Sequence, residues 1–159
     1  MEVKSRSAVK VRQATIEDID ALIALGSVMH DESPLFSQLD YDESKLAALG
    51  EKLLEQGGVF LAEDEEMMVV GMFVGMVSEY FFGSDLVASD FALYVDEEYR
   101  GGSIGVRLVK AFEKWAFEFG AKVILLGIST GIQADRTAQL YNRLGFKTHG
   151  YTTLKMRTE

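Results

Sequence analysis

The sequence predicts a mixed α/β domain with six to seven strands and about four helices. Three observations carry that expectation. Ile104, Leu108, Phe112, Trp115 and Phe119 recur every three or four residues, the spacing of a strongly amphipathic helix. Val123–Ile128 is a short apolar run of the kind found in strands covered on both faces. Elsewhere strand-like and helix-like runs follow one another in the order β-α-α-β-β-β-α-β-α-β-β, which layered α/β architectures accommodate.

Along the chain, Ala8–Ala14 alternates as a first strand. Thr15-Ile16-Glu17-Asp18 has the form of a helix cap, and Ile19, Leu22, Ile23 and Val28 then mark one helical face. Pro34 disfavours helix at Ser33, so His30–Asp40 reads as a connecting loop. Leu46, Leu49 and Leu53 share one side of a second helix over Asp42–Glu55, ended by Gly57 and Gly58. Val59–Ala62 and Met67–Phe82 form a hairpin about the turn Glu63–Glu66, and Asp85–Val95 supplies the next strand. The amphipathic helix ends at Gly120, and Asp135–Leu144 is a last helix stopped by Gly145. Phe146–His149 and Tyr151–Met156 close the chain as strands. No internal repeat, low-complexity tract or linker interrupts this order, so residues 1–159 are expected to form one domain.

Bulk composition narrows the function. A net charge of −9 argues against a nucleic-acid partner, which needs a basic face. The chain has no cysteine, which removes disulfides, thiolate metal sites and cysteine nucleophiles. The N-terminus lacks the apolar core of a secretory signal, and the longest uncharged run, Met67–Ser78, is shorter than the ~20 residues of a membrane helix. The expectation is a soluble cytoplasmic protein.

Between the strand ending at Val95 and the helix from Ile104 lies Tyr99-Arg-Gly-Gly-Ser-Ile-Gly105. A helix start leaves N–H groups unpaired and carries partial positive charge, and a glycine turn lets backbone approach an anion. Neither the P-loop nor the dinucleotide fingerprint matches this loop. The block Leu93-Tyr-Val-Asp-Glu-Glu-Tyr-Arg-Gly-Gly-Ser-Ile-Gly-Val-Arg-Leu-Val109, with Ala138-Gln-Leu-Tyr-Asn-Arg-Leu-Gly-Phe146, resembles the GNAT superfamily of acyl-CoA-dependent N-acyltransferases. The resemblance spans roughly Val9 to Arg157. It implies a mixed, mostly antiparallel central sheet flanked by helices, acetyl-CoA as cosubstrate and no metal. It also implies a cofactor segment made of Leu93, Tyr94, Val95, Arg100, Gly101, Gly102, Ser103, Ile104, Gly105 and Val106. Two positions depart from the family pattern: Ser103 replaces the middle glycine, and Ala134 replaces an asparagine that often holds the pantetheine arm.

By the same resemblance, the backbone of Leu93–Val95 pairs with the pantetheine, and Tyr141 faces the departing thiolate. The attacking amine must lose a proton, for which Asp90 is the first candidate base and Glu79, on the neighbouring strand, the second. The loop between the first two helices, with His30, Glu32 and Phe36, is expected to meet the acceptor: its carboxylates attract a cationic amine and Phe36 packs on its carbon skeleton. The implied function is transfer of an acetyl group from acetyl-CoA to a primary amine of a small molecule or protein. The alternative is a catalytically weak acyl-CoA-binding module on the same fold. The C-terminal strands also offer an edge for a homodimer.

Overall fold

The computed structural model describes residues 8–158. Its elements are β1 (Lys10–Gln13), α1 (Ile19–Glu32), α2 (Glu43–Gln56), β2 (Val59–Glu63), β3 (Val69–Glu79), β4 (Leu86–Val95), α3 (Ile104–Phe119), β5 (Ala121–Leu125) and α4 (Ala134–Arg143). The strands form one sheet in the order β1-β2-β3-β4-β5, antiparallel except for β4 and β5. The parallel pair follows from connectivity, because α3 carries the chain back between the two strands.

Strand alternation divides the apolar side chains between two layers. Phe60, Ala62, Phe73 and Ala88 pack with Ile104, Leu108 and Phe112 on the α3 side, where α4 contributes Tyr141. Val59 and Leu61 pack with Leu53 and Leu54 of α2. Met72, Ala92 and Tyr94 pack with Leu25 of α1. The sheet is therefore covered by α1 and α2 on one face and by α3 and α4 on the other. Phe73 and Phe112 stack at 4.3 Å between ring centroids, directly beside Gly75.

Gly75 also marks a break in the ladder. Val74 pairs with Ala92 and Gly75 with Asp90, so Phe91 is an extra residue, a β-bulge in β4. Beyond it β4 separates from β5, whose pairing reaches only Ser89 and Leu125. Among the described residues, one edge of β4 has no strand partner from Asp90 to Val95.

Four expectations are corrected. Among the described residues the sheet has five strands, not six to seven. Phe146–His149 and Tyr151–Met156 are not strands; Tyr151 is 95% exposed and the segment pairs with nothing in the sheet. Local β-propensity does not make a strand where no backbone partner is found. Without that cover β5 is an edge: Val123 and Leu125 are 44% and 48% exposed, so this run is not buried on both faces. Finally, the helix expected to end before His30 continues to Glu32 and stops at Ser33, the residue that Pro34 forces out of helix.

Candidate active site

The open edge of β4 forms one wall of a cleft of about 230 Å³. Leu93, Tyr94, Val95, Arg100, Gly101, Gly102, Ile104, Gly105 and Val106 line it, so the glycine segment and the strand end share one cleft. Ser103 is the N-cap of α3 with a backbone in the helical region, and it is not part of the lining. Gly101 has φ +84°, a conformation that side-chain-bearing residues rarely adopt, which explains a glycine there. Ile104, Gly105 and Val106, the first residues of α3, line the end of the cleft, where a helix start carries unpaired N–H groups and partial positive charge.

The opposite wall is α4, the helix expected over Asp135–Leu144; the side chains that line it are not among the expected site residues, and Tyr141, which is, does not line the cleft. Gln133, Arg136, Leu140 and Arg143 line it. Their spacing of three, four and three residues puts them on one helical face, and that periodicity was the available signal. Neither Arg136 nor Arg143 has a carboxylate partner among the described residues. Gln133, just before the helix, has φ +47°, a strained left-handed turn next to Ala134.

Arg100 plays a different part from the free phosphate cation its position suggests. Its guanidinium binds Glu32 through two hydrogen bonds of 2.7 and 2.8 Å, and its Nε donates to the Val95 carbonyl at 2.8 Å. The Tyr94 hydroxyl donates to the same Glu32 carboxylate. The Arg100 hydrogen bonds hold the Glu32 carboxyl below its usual range, and burial raises the Tyr94 phenol. Glu32 is thus a strut between the end of α1 and the glycine loop. Beside it, the Ser33 hydroxyl donates to the Thr130 carbonyl and ties α1 to the segment before α4.

Tyr141 and Asp90 lie together on the α3 side. Tyr141 is 5% exposed, its ring 5.8 Å from that of Phe146, and its hydroxyl has no hydrogen-bond partner among the described residues. Burial first, then the charge of Asp90, raises its phenol above the ordinary range. Asp90 accepts a hydrogen bond from the Gly127 amide at 2.8 Å, and burial raises its carboxyl. Glu79 stands apart: it pairs with Leu86, four residues along β3 from the Asp90 partner Gly75, or about 13 Å at the usual strand rise. His30 and Phe36 face a second, larger cavity under α1 and α2, where the His30 ring lies 4.9 Å from that of Tyr41.

Comparison with known proteins bears on this arrangement. No curated protein matches the chain. Among solved structures, an acetyltransferase from Trypanosoma brucei is similar over 95% of this chain and 99% of its own, with 20% identity and a TM-score of 0.68. A glucosamine-6-phosphate N-acetyltransferase from Arabidopsis thaliana is similar over 93% and 97%, with 16% identity and a TM-score of 0.69. An aminoglycoside N-acetyltransferase, AAC(6')-Iy in complex with CoA, is similar over 94% of each chain, with 16% identity and a TM-score of 0.71. At these identities the likeness is one of fold. The model of the acetyltransferase (GNAT) family matches residues 25–146, from within α1 to the end of the Tyr141–Phe146 segment, and the chain therefore belongs to that family.

Proposed function

We propose that the protein transfers the acetyl group of acetyl-CoA to a primary amine of a small molecule by direct attack. The observation that carries this reading is the β4 edge left open from Asp90 to Val95, facing the α3 N-terminus. The residues present fit an extended thioester bearing phosphates. The strand edge can take up an amide-rich arm, the glycine turn admits a diphosphate, and Arg136 and Arg143 supply cations that Arg100 does not. Acetyl-CoA supplies an activated acyl carbon on a good leaving group.

Asp90 then takes the proton that the amine must lose, directly or through one water. Its half-buried position suits a carboxylate more basic than usual. Glu79 is too far along the ladder to share that role. Tyr141 keeps its proton, because its phenol is shifted upward, and donates a hydrogen bond to the sulfur as the C–S bond breaks and the C–N bond forms. The proton finally gained by the sulfur comes from water.

Thermal shift with acetyl-CoA, CoA and ATP, followed by thiol release against an amine panel, tests the reading. Stabilisation by acetyl-CoA with release from at least one amine supports it. Stabilisation without release from any amine points to a binding module, and stabilisation by ATP alone removes the proposal.

Two further results are expected. Replacing both Arg136 and Arg143 by Gln should weaken acetyl-CoA binding about tenfold by calorimetry at low salt, on roughly 0.7 kcal/mol for each partly screened contact. The difference should shrink as salt rises. In the pH profile of kcat, the base must be ionised, so activity rises as pH passes the elevated Asp90 value. That acid limb is expected above the ordinary carboxylate range, and Asp90→Asn should abolish it while leaving acetyl-CoA binding intact.

A further inference from the structure

The larger cavity, about 570 Å³, lies between α1, α2 and the sheet and has the size of a small-molecule site. It reaches β4 at Phe91 and Ala92, which precede Leu93, where the cofactor cleft begins. The bulge brings two successive side chains to this face, so the cavity ends where β4 is free of β5. The two hollows approach the same stretch of strand from opposite faces of the sheet.

The walls decide what this cavity takes. Leu22, Ile23, Met29, Leu49 and Met72 make them apolar. The polar groups present are largely engaged within the protein. The Tyr41 hydroxyl donates to the Ile23 carbonyl at 2.7 Å, and Asp42 caps α2 by accepting from the Lys45 amide at 3.0 Å. Asp40 is the lining carboxylate with no partner among the described residues, Lys45 places a cation nearby, and the His30 ring, the remaining polar group, rests against that of Tyr41. A hydroxyl-rich ligand would leave its polar groups stranded here at about 1–3 kcal/mol each. A polycation would meet one free carboxylate and one like charge. An apolar wall also favours the neutral, nucleophilic form of an amine.

Resting on the transferase reading, we propose that this cavity holds the acceptor and that the acceptor is a primary amine on a compact apolar body, of the arylalkylamine class. The walls disfavour aminosugars and polyamines. The test measures thiol release with phenethylamine, hexylamine, glucosamine and spermidine, together with calorimetric titration of phenethylamine into the protein. Phenethylamine should exceed glucosamine and spermidine at least tenfold in kcat/KM. Leu49→Trp, at a position 38% exposed and able to accept bulk, should raise the phenethylamine KM tenfold or more with the acetyl-CoA Kd unchanged.

Preference for glucosamine or spermidine overturns the inference, as does an unchanged KM in a folded Leu49→Trp protein. Failure of phenethylamine to bind overturns it whatever acetyl-CoA does. Phenethylamine binding that Leu49→Trp weakens, in a protein that ignores acetyl-CoA, removes the transferase reading and upholds the ligand class of the cavity.

Discussion

Tyr141→Phe is expected to lower kcat about a hundredfold, the low end of what one hydrogen-bond donor to a developing anion contributes. The phenol is buried against Phe146 and has no internal partner, so removal of the oxygen leaves packing intact and no orphaned group behind. Acetyl-CoA affinity should change less than twofold, because the hydrogen bond forms only as charge gathers on the sulfur. The two halves of the prediction are measured separately, by thiol release at saturation and by calorimetry. Full turnover in a protein of unchanged melting temperature would remove Tyr141 from the chemistry. A fall in affinity equal to the fall in rate would make it a binding residue instead.

Gly75→Val should be the most damaging single change in the core. A Cβ at this position would lie 2.4 Å from Cε2 of Phe112 and 2.9 Å from the Ser89 carbonyl oxygen. Neither neighbour can yield: the Phe112 ring is fully buried and stacked on Phe73, and the carbonyl belongs to β4. Overpacking of this kind costs about 3 kcal/mol or more, and each kcal/mol lowers the melting temperature by roughly 2–4 °C at this size. The loss should appear as a melting temperature reduced by about 10 °C or as insoluble protein. Adding Phe112→Leu to the milder Gly75→Ala should recover part of the loss, since the smaller side chain relieves the ring contact. Additive destabilisation in that pair would mean the strand, rather than the ring, sets the cost.

What the sequence disclosed and what it hid divide along the range of the interactions. The α3 stripe and the Gly101 turn are local, and Ile104, Leu108 and Phe112 are core while the glycine loop faces the cleft. Glu32 reads as a loop carboxylate because nothing nearby in sequence announces Arg100, 68 positions further on. The helix that carries Glu32 runs past the expected stop because Pro34 constrains only Ser33 before it. Val123–Ile128 illustrates the opposite failure: an apolar run says that a strand forms there, and only the fate of Phe146–Met156 decides what covers it. Arg136 and Arg143 were visible as a helical pair, but their value depends on Arg100 being engaged elsewhere.

Phe91 is a surplus residue with a geometric task. Were it missing, Ala92 would follow Asp90 directly, and Leu93, Tyr94 and Val95 would keep their present facings. The strand would then run straight, and a neighbour now peeled away at Leu125 could zip along it to its end. One residue therefore separates a sheet that opens along this edge from one whose ladder could run on, with scarcely a side chain in the interior changing sides.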